Sequence, residues 1–129
     1  MKVLLAVSLL LVSVPAALAQ TTFTYIVFDP PNSTKTYATQ VNDSGAAVGY
    51  YLDATTQLYT GFVRKADDTF SLNLDLSNSN TYTTGINDSG EISGYYFPPD
   101  TETTFLLKGG KYSTFDYPGA LTTQINTLD

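Results

Sequence analysis

The stretch "GINDSGEISGYY", Gly85 to Tyr96, decides the fold, because it is a second copy of "QVNDSGAAVGYY", Gln40 to Tyr51. Asn42-Asp43-Ser44-Gly45 matches Asn87-Asp88-Ser89-Gly90 at an offset of 45, and Gly49-Tyr50-Tyr51 matches Gly94-Tyr95-Tyr96 at the same offset. Phe62 then matches Phe105 at an offset of 43, so the second copy is two residues shorter in one loop. "YSTFDYPGALTTQIN" (Tyr112 to Asn126) resembles "YIVFDPPNSTKTYATQVN" (Tyr25 to Asn42), with "FSLNLDLSNSNTYTTGIN" (Phe70 to Asn87) as the intermediate version. The unit begins a third time at Gln124-Ile125-Asn126 and stops at Thr127-Leu128-Asp129. A period of this length marks a repeat architecture.

Each copy divides into four short strands. The first approaches the Asn, around Tyr37 to Val41 and Tyr82 to Ile86. Asn-Asp-Ser-Gly then turns the chain: Asn and Asp bond their own backbone two residues on, and Gly45 and Gly90 accept the positive φ of a tight hairpin. The second strand is "AAVGYYL" or "EISGYYF". Its alternation puts Ala47, Gly49 and Tyr51 on one face, matched by Ile92, Gly94 and Tyr96, and that face is assigned to the core. The two glycines there suggest close approach by a neighbouring sheet. The third strand is "YTGFVRK" or "TTFLLK" and the fourth "TFSLNLDL" or "KYSTFDY", with turns at Asp67-Asp68 and Gly109-Gly110.

Four antiparallel strands in roughly 40 to 45 residues is the arithmetic of a β-propeller blade. The expected fold is therefore all-β, with antiparallel four-stranded, blade-like units; a small β-sandwich is the alternative. The layout is a leading fourth-type strand at 21–29, repeat 1 at about 36–76, repeat 2 at about 81–117 and a partial third repeat at 121–129. Propellers close with about 4 to 8 blades, so two units form no ring. The chain reads as truncated or a fragment, or as one that stacks or self-associates to cover its end faces.

"MKVLLAVSLLLVSVPAALAQ" runs from one charge, Lys2, through an apolar stretch to Ala17-Leu18-Ala19. That order predicts a secretory signal peptide over 1–19, cleaved before Gln20. An uncleaved anchor is the alternative, although the apolar stretch falls short of the roughly 20 residues a span needs. No second apolar run follows, so no membrane span is expected after cleavage, and the protein is placed in the periplasm or outside the cell. Lys2 leaves with the signal, which makes a net charge of −6 more negative still. Such a surface repels a phosphate backbone, and nucleic acid is not an expected partner. The chain has no Cys, so stability comes from packing rather than disulfides. Its 10 Tyr and 7 Phe, all beyond residue 22, supply the apolar area.

The repeat residues resemble the HAF-type extracellular repeat family of bacterial exported proteins. Ile86-Asn87-Asp88-Ser89-Gly90, Gly94-Tyr95-Tyr96 and Asp116-Tyr117-Pro118-Gly119-Ala120 fit its unit. The name-giving His-Ala-Phe step departs: Thr60-Gly61-Phe62 and Thr103-Thr104-Phe105 keep only the Phe. The resemblance implies export, an all-β repeat fold and a bacterial source. It implies no catalytic residues.

Candidate chemistry is sparse. Asp43 and Asp88 recur beside Asn and suggest a calcium site or an acid pair. Turn chemistry already explains Asn, Asp, Ser and Gly in that order, and an EF-hand loop needs ligands absent here. Asn42, Asp43, Gly45, Asn87, Asp88 and Gly90 are therefore assigned to structural turns. Asp29, Asp75 and Asp116 recur at the exit of the fourth strand, where paired acid/base work is conceivable but a turn or cap is the simpler role. Ser and Thr nucleophiles have no His partner, and transition-metal sites have neither Cys nor His. Gly109-Gly110-Lys111 is only part of a phosphate-loop pattern, in a hairpin. No cofactor or metal is expected. Tyr50 and Tyr95 remain. In each Tyr-Tyr pair one ring faces the core and one faces outward, so Tyr50 and Tyr95 are candidate stacking platforms for sugar rings or a partner protein. The simpler role is cover for a neighbouring strand or blade. The expected function is a non-catalytic structural or interaction module outside the cytoplasm, partnered by polysaccharide or another exported protein. A carbohydrate-binding module and a piece of a propeller hydrolase are the alternatives.

Overall fold

A computed structural model describes residues 24–74, 76–99 and 101–129. The signal peptide at 1–19, the start of the leading strand at 21–23, and Asp75 lie outside the described residues. Eight strands form two antiparallel four-stranded meanders. The first sheet holds β1 (Ser33–Val41), β2 (Ala47–Asp53), β3 (Tyr59–Arg64) and β4 (Phe70–Leu74). The second holds β5 (Thr81–Ile86), β6 (Ile92–Tyr96), β7 (Thr103–Lys108) and β8 (Lys111–Phe115). The protein is all-β, with no helix and no closed barrel among the described residues. Two blade-like units and a small sandwich both describe this arrangement. No helix there is long and apolar enough to cross a membrane.

The repeated turns form because their side chains satisfy the hairpin backbone. Gly45 N–H donates to the Asn42 carbonyl, and Asn42 Oδ1 accepts from Ala46 N–H, both at 3.0 Å. Gly90 and Asn87 repeat the first bond at 3.0 Å, and Asn87 Oδ1 accepts from Glu91 N–H at 2.9 Å. Gly45 and Gly90 have φ of 82° and 76°, the left-handed region that a Cβ disfavours.

Both first strands carry a one-residue bulge. Ala38 pairs with Gly49 but Gln40 pairs with Val48, which leaves Thr39 extra; Thr84 is extra in the same way. Such an extra residue kinks the strand and re-aims its neighbours. The bulge explains Gly49 and Gly94. A Cβ at Gly49 would lie 2.0 Å from the Tyr37 carbonyl oxygen, and one at Gly94 would lie 2.3 Å from that of Tyr82. The close approach expected from a neighbouring sheet thus comes from the bulged first strand of the same sheet. Between the sheets it is Gly61 that admits Thr83, whose Cγ2 would sit 2.8 Å from an added Cβ.

The core joins the back of the first sheet to the front of the second. Val48, Ile86, Ile92 and Phe105 cluster there, with Val63, Leu76, Tyr96 and Leu107 packed around them. Burying a Phe such as Phe105 contributes ~1.5–3 kcal/mol. Ala47 and Tyr51, on the face assigned to the core, are buried, and so is Val48 on the opposite face. In the first sheet the inter-sheet core therefore takes Val48, from the face opposite to the one assigned, while the Ala47 and Tyr51 face points outward and packs with Phe62 beneath Phe28 of the leading segment. Hydroxyls tie the layers together: Thr39 Oγ1 donates to the Thr83 carbonyl at 2.9 Å, and Thr83 Oγ1 donates to the Gly49 carbonyl.

Two segments outside the strands, 24–29 and 121–129, lie on the outer faces of the first and second sheets. Residues 24–29, the described part of the leading strand expected at 21–29, pair with no strand. Pro30 and Pro31 lack the N–H that a ladder needs. The segment instead docks through Phe28, whose ring stands edge-on to Phe62 at 6.0 Å, with the Arg64 guanidinium 5.0 Å from its centre. The partial third repeat at 121–129 is likewise not a strand. It lies on the second sheet, where Thr84 Oγ1 donates to the Ile125 carbonyl and Thr104 Oγ1 to the Thr123 carbonyl.

Candidate functional site

Six aromatic rings join into one strip that runs across both sheets. Tyr37 of β1 stacks on Tyr50 of β2, with ring centres 5.0 Å apart and 24° between planes. The repeat-related pair, Tyr82 of β5 and Tyr95 of β6, stacks at 5.0 Å and 20°. Tyr50 meets Tyr82 edge-on at 4.8 Å, which connects the two pairs. Tyr59 of β3 fills the corner, 5.7 Å from Tyr50 and 5.4 Å from Tyr82. Phe97 ends the strip, perpendicular to Tyr82 and Tyr95 at 6.0 and 5.8 Å. Edge-to-face and offset pairs of this kind add ~0.5–1.5 kcal/mol each beyond their buried area.

The bulges build the two stacked pairs. Without its extra residue, β1 would place Tyr37 opposite Tyr51; Thr39 moves it opposite Tyr50. Thr84 does the same for Tyr82 and Tyr95. The terminal rings keep the most open surface, Tyr37 at 43% and Phe97 at 41% exposed, and the rings between are half-buried. Burial, and then the charge of neighbouring phenols, raises the Tyr50 and Tyr82 pKa above the ordinary 10.0. Tyr95 is raised by burial, Tyr50 and then Glu102. Among the described residues no strip hydroxyl donates to another group of the chain, so the row of hydroxyls meets solvent.

Glu102 stands in the second repeat where Tyr59 stands in the first. It borders an open cavity of about 440 Å³ with Phe97, Pro98, Pro99, Thr101, Leu121 and Thr122. Its Oε1 is buried without a partner in the chain, while Oε2 accepts from Gln124 Nε2 at 3.3 Å. Oε1 is closed to solvent, so a donor from outside the chain can meet this carboxylate only at Oε2.

The other candidates are placed differently. The two turns meet: Asn42 Nδ2 donates to the Asn87 carbonyl at 3.0 Å, and Asp43 N–H to Asp88 Oδ1 at 2.8 Å. Asp43 and Asp88 thus stitch one repeat to the next. They line a cleft of about 290 Å³ with Asp129, and among the described residues no three acids are placed to share a metal ion. Asp29 lies beside the first sheet at Thr36 and Ala38. Asp116 lies beside the second, where its Oδ1 accepts from Thr104 N–H at 3.3 Å.

Sequence reasoning named Tyr50 and Tyr95 but missed Tyr37, Tyr59, Tyr82, Phe97 and Glu102. Tyr37 and Tyr82 share the 45-residue offset, and that was the available signal. Comparison with protein-family models, curated proteins and solved structures gives no match.

Proposed function

We propose that the protein is an exported, non-catalytic interaction module whose binding surface is the tyrosine strip. One observation carries this reading: two repeat-related ring pairs stack with the same geometry, join across the sheets, and leave their hydroxyls without partners in the chain. A buried tyrosine hydroxyl usually finds a partner in the protein, whereas these hydroxyls are left free for a partner from outside. Tyr and other aromatics at a surface supply large contact area at low entropic cost, which is what a recognition surface needs. Export rests on the order of charge, apolar run and small residues before Gln20. Kinship with the HAF-type repeats, and the bacterial source it implies, rest on the repeated residues.

The test uses cell envelopes from the organism that makes the protein. The intact protein should co-sediment with them, and a Tyr50→Ser/Tyr95→Ser variant, less stable but shown to be folded at the assay temperature by circular dichroism, should not. Equal sedimentation of the two proteins would overturn the assignment of the strip.

A further inference from the structure

We propose that the strip takes an uncharged polysaccharide chain, with one sugar ring stacked on Phe97 and its hydroxyls donating to Glu102; the proposal rests on the strip being the binding surface. The geometry at the second-sheet end points to this ligand. Phe97 is 41% exposed and stands perpendicular to both rings it touches. It forms one wall of the 440 Å³ cavity that also holds Glu102. That volume lies within the range of small-ligand sites. Pro98 and Pro99 make the adjacent wall rigid and apolar. A pyranose has the matching chemistry: C–H groups on its face for an aromatic ring, and hydroxyls at its rim for an acceptor.

The carboxylate decides the class. Glu102 Oε1 is closed to solvent, so the acceptor offered to a ligand is Oε2, whose one donor in the chain is Gln124 Nε2 at a long 3.3 Å. A carboxylate accepts and does not donate, so it selects a ligand rich in hydroxyl donors. It also repels an anion, as does the chain's net charge of −6. That disfavours uronate polymers and nucleic acids. Beyond the cavity the ligand meets a row of tyrosine hydroxyls that both donate and accept. The row continues through Tyr95, Tyr82 and Tyr50 to the exposed ring of Tyr37. A linear chain of like sugars matches a strip built from repeated pairs better than a compact ligand does. A protein partner typically buries about 800 Å² on each side; a strip one or two rings wide is narrower than such a patch.

The experiment is affinity electrophoresis of the intact protein through gels containing soluble uncharged glucans, mannans or xylans, with polygalacturonate as the charged control. At least one uncharged polymer should retard the protein, and polygalacturonate should not. Phe97→Ala should abolish retardation. Glu102→Gln keeps the shape but loses the charged acceptor, and should weaken binding about tenfold. Melting curves establish that each variant folds; should Phe97→Ala fail, the isosteric Glu102→Gln decides alone. Retardation by no uncharged polymer, by polygalacturonate alone, or equally for Glu102→Gln and the parent would overturn the proposal. If envelope binding still depends on Tyr50 and Tyr95 after such a result, the strip remains the binding surface and only its ligand class falls.

Discussion

Replacing Gly49 by Ala tests the architecture at the point where fold and site meet. The added Cβ would lie 2.0 Å from the Tyr37 carbonyl oxygen and 2.9 Å from Ala38 Cα, both backbone atoms of β1. Real Cβ atoms do not come within 3.0 Å of such neighbours. No rotamer change relieves the clash, so β1 must lift away from β2 at the Thr39 bulge. Overpacking of this kind costs ~1–3 kcal/mol. Lifting β1 also strains the 2.9 Å bond from Thr39 to the Thr83 carbonyl, worth ~1 kcal/mol, and the Tyr37–Tyr50 stack, worth ~0.5–1.5 kcal/mol. Together these give a loss of roughly 3–5 kcal/mol. For a domain of this size that lowers the melting temperature by ~12 °C or more. The control is Gly90→Ala, where φ is 76° but nothing lies within 4 Å of the new Cβ. Its cost is the left-handed backbone alone, ~1–2 kcal/mol. Thermal melts followed by circular dichroism should therefore rank Gly49→Ala well below Gly90→Ala. A Gly49→Ala protein that melts with or above Gly90→Ala would refute the bulge reasoning.

Three further outcomes are expected. Near-ultraviolet absorbance titration should show a late-ionising group of tyrosines, because Tyr50, Tyr82 and Tyr95 all have pKa values raised above 10.0. The folded state favours their neutral form, so the associated stability is fully present below pH 10.0 and is lost as pH rises through the folded values; denaturant melts flat across that range would contradict this. Asn42→Ala removes bonds to Ser44, Ala46 and Asn87 and should cost ~2 kcal/mol in urea melts, against ~1 kcal/mol for Asp88→Ala, which removes one exposed bond to Asp43; a reversed order would show that the turns are not joined as described. Protein recovered outside the cell should begin at or near Gln20 on N-terminal sequencing, and intact, membrane-bound chain would overturn the export assignment.

The sheets were legible because turn chemistry is local. Asn-Asp-Ser-Gly satisfies its own hairpin, and an offset of 45 between two such turns carries the four-strand order into both copies. Tyr50 and Tyr95 were legible as outward residues for the same reason: alternation along one strand is also local. Their partners were not. Counting outward from the turn places Tyr37 opposite Tyr51, and the extra residue that corrects the register, Thr39, looks like any other strand Thr. Phe97 and Glu102 were hidden for a related reason. The second copy departs from the first at these positions, with Phe97 for Leu52 and Glu102 for Tyr59, so matching the repeats draws attention away from the differences. The leading strand failed because its apolar alternation served packing of Phe28 on Phe62 and not a ladder.

Thr39 and Thr84 connect the fold to the surface proposed for binding. Each is the extra residue of a bulge, and each hydroxyl reaches the next layer, Thr39 to the Thr83 carbonyl and Thr84 to the Ile125 carbonyl. The same extra residue brings Tyr37 opposite Tyr50 and Tyr82 opposite Tyr95. Layer stacking and ring stacking therefore share one cause. A β-strand without the bulge would pair its tyrosines differently and withdraw the hydroxyl from the interface at once. A repeat that conserves its stacking geometry from one layer to the next thereby also repeats its aromatic pairs along the edge, and the strip lengthens with every layer added. Such regular spacing would suit the polymeric ligand proposed above. The two copies differ within the strip at Leu52 and Phe97 and at Tyr59 and Glu102; the latter two lie on β3 and just before β7, outside the bulged pair, so they differ without changing the register.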